Sequence, residues 1–311
     1  MIVDAHVHIF PRIEGYGPKG KIRSASYGMV DQGDGIPIHA LPPLCELTKH
    51  TREMLLSNME WAGVDRAVLL QCPCYGDWSE YVLETCRLYP DKFIGAAFFD
   101  PWRSDAKEYY EKNIANGPWQ NVKIEFSQAG GLCGVYPDAD LNSEDMQWLW
   151  DRLELENKTV SFDLGEPGDR SYQTEQIGKI AKKHPGLRIV LCHVGQPSYR
   201  LREEHELKIA WEKQIMLGLL PNVWFDVSAM PYHVQNEEEY PFPSTKKYFI
   251  EALEMIGPKK LMWGSDIPWL LGIATYRQLV SHAKHLVEDL SEQSKRKILC
   301  ENAIQVYWDR G

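Results

Sequence analysis

Apolar positions along the chain follow a two-beat pattern: a short, nearly continuous β-branched run, then a longer stretch with apolar residues at helical spacing. The short runs are IVDAHVHI (2–9), DRAVLLQ (65–71), KFIGAAFF (92–99) and NVKIEF (121–126). They continue with KTVSFDL (158–164), LRIVLCHV (187–194), NVWFDVS (222–228) and KLMWGSD (260–266). Runs this short and this apolar predict strands covered on both faces. The clearest helical stretch is SEDMQWLWDRLELE, where Met146, Leu149, Trp150 and Leu153 fall at i, i+3, i+4 and i+7. Ser143 is placed to be its N-cap, with acidic residues in the first turn. The closing LSEQSKRKILCENAIQVYW predicts one further helix or two short ones.

Strands alternating with helices imply parallel β-α units, and eight such units close a (β/α)8 TIM barrel. An open doubly wound sheet is the alternative, but no G-x-G-x-x-G follows the first strand. The pattern therefore predicts one α/β domain over residues 1–311. Residues 11–50 interrupt it with Pro11, Gly15, Gly17, Pro18, Gly20, Gly28, Gly33, Gly35, Pro37, Pro42 and Pro43. A segment this long in a compact domain is usually functional. Following strand 1, it is expected to be a loop insertion over the mouth of the barrel.

Composition narrows the function. With 44% hydrophobic and 25% charged residues, the 311-residue chain can bury a large core. A net charge of −10 argues against nucleic-acid binding, although local cations can still hold a small anionic substrate. Seven cysteines, an odd number spread over the chain, read as reduced thiols rather than a disulfide framework. No signal peptide and no membrane-length apolar run is recognised, so a cytoplasmic enzyme without membrane contact is expected.

The polar residues can now be sorted by position. His6 and His8 share a face of strand 1, because side chains two apart on a strand point the same way. Strand 4 carries Lys123 and Glu125, strand 5 ends at Asp163, strand 6 at His193 and strand 8 at Asp266. Ionisable groups at the C-terminal ends of apolar strands are costly to bury unless paired or metal-bound. Their convergence on a barrel mouth is what an active site requires. Ordinary roles compete: hydrogen-bonded core histidines, Asp266 capping a helix, Asp163 forming a loop, Lys123 paired with Glu125. Cys72-Pro73-Cys74 after strand 2 lacks the second pair that a structural zinc site has, and its thiols are expected to line the pocket.

DAHVHIF, LCHVGQP, MWGSDIPW and the closing ENAIQVYW together carry a resemblance. The chain resembles the amidohydrolase superfamily, in particular the amidohydrolase-related branch of metal-dependent hydrolases and decarboxylases, over essentially its whole length. The resemblance implies one divalent ion held by His6, His8 and Asp266, with His193 beside it contacting substrate or exchanging protons. Many relatives end strand 5 in histidine; here Asp163 stands in that place. It is expected either to complete the ligand set, favouring a harder ion such as Mn²⁺ over Zn²⁺, or to mark a site that works without metal.

Imidazole and carboxylate suit such an ion independently of the resemblance, and a bound cation lowers the pKa of a water towards neutrality. Asp266 and His193 are then the expected base and acid. Lys123, Arg23, Tyr16 and Arg200 are candidates to bind a substrate carboxylate, and Trp269 is placed to touch substrate. The expected partner is a small carboxylate-bearing molecule, in a protein that is often a dimer among relatives. The expected reaction is hydrolysis of a lactone or amide, with non-oxidative decarboxylation as the alternative. A non-catalytic barrel fits poorly, since so many buried ionisable groups destabilise a protein without a task.

Overall fold

The computed structural model describes residues 1–44 and 46–309; Cys45, Arg310 and Gly311 lie outside the described residues. All eight expected strands form, each trimmed at its ends. They are β1 (Val3–Val7), β6 (Arg66–Leu69), β7 (Phe93–Phe98), β8 (Asn121–Glu125), β9 (Thr159–Asp163), β10 (Arg188–Leu191), β11 (Val223–Val227) and β12 (Leu261–Trp263). They pair in parallel in that order. The ring closes just beyond β12, where the Asp266 amide donates to His6 O and the His8 amide donates to Ile267 O, both at 2.8 Å. The architecture is a (β/α)8 TIM barrel.

The helix expected from SEDMQWLWDRLELE forms over Gln147–Leu155, and Met146, Leu149, Trp150 and Leu153 are all buried. Ser143 has the extended backbone of a cap, but its hydroxyl makes no capping bond. A 3₁₀ turn over Glu144–Met146 opens the helix instead, with the Met146 amide on Ser143 O at 3.1 Å.

The chain's last helical stretch closes the lower end of the barrel. Cys300, Ala303, Val306 and Tyr307 pack with Val3, Ala5, Val68, Ala96, Val190 and Met262. The Tyr307 hydroxyl meets Ser161 Oγ at 2.8 Å. Asn302, from the closing Asn-Ala pair, is buried and donates through Nδ2 to Pro258 O and Leu261 O, each at 2.7 Å. Asn302→Ala removes both hydrogen bonds, on Pro258 O and on the first residue of β12, so it is expected to lower unfolding free energy by about 1–3 kcal/mol in urea denaturation.

The insertion after β1 differs from the expected loop. It folds into a four-stranded antiparallel sheet of β2 (Glu14–Gly17), β3 (Gly20–Ser24), β4 (Met29–Asp31) and β5 (Pro37–His39). Strands of three to five residues between glycines and prolines leave too few positions for an alternating pattern to show. Phe10, Ile13, Ile22, Val30 and Leu41 form its small core together with Cys72 and Tyr75 from the turn after β6. Among the described residues no helix is long and apolar enough to cross a membrane.

Candidate active site

The strand ends bring His6, His8, Asp163, His193 and Asp266 together at the C-terminal mouth, all at most 9% exposed. Hydrogen bonding settles what the two histidines of β1 present to one another. His8 Nδ1 lies 3.0 Å from Leu70 O. A carbonyl only accepts, so His8 Nδ1 carries a proton and Nε2 is the atom turned towards the site. His6 Nδ1 lies 3.0 Å from Asp226 Oδ2. Burial brings the His6 pKa down to about 4, against the pull of Asp226, so the ring is neutral with its lone pair on Nε2. The two Nε2 atoms stand 3.2 Å apart, and Asp266 Oδ1 is 3.2 Å from one and 3.6 Å from the other.

One divalent ion placed among these atoms would take all three as ligands. Two nitrogens bound to one zinc at tetrahedral angles stand roughly 3.3 Å apart, close to the separation here. The donor set therefore fits a divalent ion held by His6, His8 and Asp266, with Asp226 and Leu70 O orienting the rings from behind. His6, His193 and Asp226 also lie close enough together to ligate. That set fits poorly, because Asp226 already accepts the proton on His6 Nδ1 and His193 Nε2 is turned to Asp163.

Asp266 reaches this position through local strain. Its backbone is left-handed at φ 60°, a conformation that costs a non-glycine residue roughly 1–2 kcal/mol. Gly264 allows the approach, since a Cβ there would lie 2.8 Å from His6 Cβ. Asp4, fully buried, ties the two segments by accepting from Ser265 N at 2.8 Å, Tyr276 Oη at 2.7 Å and His6 N at 3.1 Å. Burial would raise the Asp266 carboxyl, but the bond to His8 and the surrounding imidazoles hold it below the usual carboxylate range.

His193, also left-handed at φ 60°, stacks on His6 with ring centroids 4.8 Å apart. Burial opposes its charge, yet Asp163, Asp266 and Asp226 outweigh burial and bring its pKa up to about 9. Both of its nitrogens therefore donate, Nε2 to Asp163 Oδ2 at 3.1 Å and Nδ1 to Ser228 Oγ at 2.7 Å. Ser228 Oγ donates a hydrogen bond to Asp226 Oδ1, which also accepts from the His193 amide at 2.9 Å. Asp163 uses its other oxygen for Gln196 Nε2 at 2.6 Å and Gly165 N at 2.9 Å. Its two oxygens are committed to His193 and the loops around it, outside the group formed by His6, His8 and Asp266.

This placement yields a prediction. In Asp163→Asn the pKa of His193 should fall from about 9 towards its ordinary 6.5, while metal stoichiometry stays unchanged. NMR titration of the His193 imidazole checks the first, and metal analysis the second. The paired state has the raised pKa, so the stability it contributes is full below pH 6.5 and is lost as pH rises through about 9.

Lys123 lies beneath the mouth, fully enclosed, with Nζ 3.2 Å from Cys192 Sγ and 3.5 Å from Glu125 Oε2. Burial works against its charge, but Cys192, Glu125, Asp163 and Asp226 together hold its pKa well above the ordinary value. Glu125 is pushed up to about 7 by burial and by Asp163, against the pull of Lys123 and Ser127. Tyr16 and Trp269 stand at the perimeter: the Tyr16 hydroxyl donates to Asp100 Oδ2 at 3.3 Å, and Trp269 packs on Tyr232. Arg23 and Arg200 are not brought into the cluster. Arg23 is exposed on the insertion opposite Glu14, and Arg200 is taken up by Glu166 and Glu204. Asp226, Ser228 and Asp4 carry the second layer of the site, and the sequence reading overlooked all three. The signal for Asp226 was present: it is an acid at the C-terminal end of an apolar strand, in NVWFDVS.

A family model described as amidohydrolase matches residues 3–308. The chain belongs to the amidohydrolase family. It is accordingly an enzyme, and this amidohydrolase shares its fold with several solved relatives. An amidohydrolase from Burkholderia multivorans aligns at TM-score 0.73 with HEPES bound and 0.71 with zinc bound, each at 18% identity over 99% of both chains. A probable 2-pyrone-4,6-dicarboxylic acid hydrolase from Acinetobacter baumannii, with citric acid bound, aligns at 0.67, with 18% identity over 98% of both chains. A 5-carboxyvanillate decarboxylase from Sphingomonas paucimobilis aligns at 0.53, with 16% identity over 81% of both chains. Among curated proteins, none matches this chain.

Proposed function

We propose that this amidohydrolase hydrolyses a lactone or amide of a small carboxylate-bearing molecule, using one divalent cation, zinc or manganese, held by His6, His8 and Asp266. The observation that carries the reading is the placement of Asp266 at the cation position, 3.2 Å from His8, with His193 across the mouth on Asp163 at 3.1 Å. Hydrolysis needs both, a base for the attacking water and an acid for the carbonyl oxygen or leaving group. A cation at this position supplies the remaining element by making a water acidic near neutral pH.

Asp266 contacts the histidines through Oδ1, and Oδ2 has no hydrogen bond to another described residue, so Oδ2 is the atom that takes the water's proton. His193 offers the Nε2 proton. Its Nδ1 side is fixed by Ser228 and Asp226, whereas a substrate oxygen can take over from Asp163. A divalent cation and His193 at the mouth give an anionic substrate two positive partners, while Lys123 beneath them sits against Glu125. The similarity to the pyrone-dicarboxylic acid hydrolase, over more of the chain than the similarity to the decarboxylase, supports the same choice.

The reading is tested in ¹⁸O-water with 2-pyrone-4,6-dicarboxylate and related carboxylated lactones, alongside 5-carboxyvanillate and hydroxybenzoates. Hydrolysis places one ¹⁸O in the new carboxylate and releases no CO₂. Release of CO₂ from the aromatic acids without ¹⁸O uptake overturns it in favour of decarboxylation.

A further inference from the structure

One close pair of thiols is not used by the proposed reaction. Cys72 and Cys74 flank Pro73 in the turn after β6, and their sulfurs stand 2.7 Å apart. We propose that these two cysteines form a reversible dithiol–disulfide site on the rim of the active site.

The backbone holds the thiols together. The Tyr75 amide donates to Cys72 O at 3.1 Å and the Gly76 amide to Pro73 O at 3.2 Å, which closes the turn on itself. The insertion clamps it from outside, with Glu14 N on Tyr75 O at 3.1 Å and Tyr16 N on Pro73 O at 2.9 Å. Only glycine fits between those two contacts, because a Cβ on Gly15 would lie 2.2 Å from both Pro73 O and Cys74 O. A disulfide brings its sulfurs to 2.03–2.05 Å, so closure asks for about 0.7 Å of travel within a turn already formed.

Exposure orders the two steps. Cys74 is partly exposed and meets the oxidant, whereas Cys72 is buried and keeps its proton. With a peroxide as oxidant, the Cys74 thiol is oxidised to a sulfenic acid and one water leaves. Cys72 Sγ then attacks Cys74 Sγ, the S–O bond breaks, and the Cys72 proton leaves with the hydroxyl as a second water. Two thiols are oxidised and one peroxide is reduced to two waters. A small dithiol reverses the step by exchange.

A bridge across one intervening residue removes little chain entropy, so it does not serve as a staple. Its position points instead to the metal-binding edge. The same segment supplies Leu70 O to His8 Nδ1, and the Tyr75 ring lies 5.1 Å from the His8 ring.

The experiment treats the reduced, full-length protein with hydrogen peroxide, blocks free thiols with N-ethylmaleimide, and maps the peptides by mass spectrometry. Two of the seven thiols should escape blocking, with a loss of about 2 Da located within 72–74, and dithiothreitol should restore both. Cys72→Ser should abolish the linkage and leave a dimedone-reactive Cys74. The proposal is overturned if both thiols are still blocked after peroxide, if oxidation runs to sulfinic acid without a linkage, or if the bridge joins either residue to another cysteine. None of these readouts depends on turnover, so they stand apart from the hydrolase reading.

Discussion

Replacing Asp266 with asparagine is expected to lower kcat/KM by on the order of 10³-fold, while leaving the metal-free protein at least as stable as the parent. The loss follows from the two tasks assigned to one carboxylate, ligand and general base, the second alone being worth 10²–10⁴-fold. The stability forecast follows from shape and charge. Asp266 Oδ1 stands 3.2 Å from His8 Nε2 and 3.6 Å from His6 Nε2. An asparagine of the same shape can hydrogen-bond His8 through its amide and removes a buried charge. Urea denaturation after chelation, beside steady-state kinetics on a confirmed substrate, checks both halves. A variant that is both inactive and strongly destabilised would mean that Asp266 serves structure rather than chemistry.

Asp226→Asn should act one layer further out. Asp226 lies outside the set of His6, His8 and Asp266, but it holds the Nδ1 proton of His6 and accepts from Ser228 and the His193 amide. Losing that carboxylate frees the His6 tautomer, and the expected cost is 10–100-fold in metal affinity. Activity measured at saturating metal should recover in large part, which separates this variant from Asp266→Asn. Its unfolding free energy should fall by about 1–3 kcal/mol, because the donors of Ser228 and His193 lose a charged acceptor. Metal affinity equal to the parent's would remove Asp226 from the account.

The barrel was legible because parallel strands covered on both faces have no polar side to confuse the pattern, and each of the eight runs contains a strand. Strand ends were less so. KLMWGSD yields only Leu261–Trp263 as strand, since Asp266 must turn into a left-handed conformation to face β1. The insertion was legible as an interruption but not as a sheet, its strands being too short to show a period. Strand position alone brings His6, His8, His193 and Asp266 to the mouth, where the structure also places them. Lys123 is by its charge a candidate substrate ligand and by its spacing a candidate partner of Glu125; the structure places it beside Glu125 and also beside Cys192, a neighbour that strand spacing does not foretell. Asp163 was the least legible. Its position on β9 says that it reaches the mouth, but its partner depends on the left-handed turn that swings His193 towards it.

The claim at the centre of the account is that His6, His8 and Asp266 form the cation site while Asp163 serves His193. Zinc titration of the chelator-stripped protein by isothermal calorimetry tests it most directly, run on the parent, on Asp163→Asn and on the His6→Asn/His8→Asn double variant. The account predicts one zinc per chain for the parent and for Asp163→Asn, and none for the double variant. A parent that binds no zinc, or a double variant that binds it as the parent does, would contradict it.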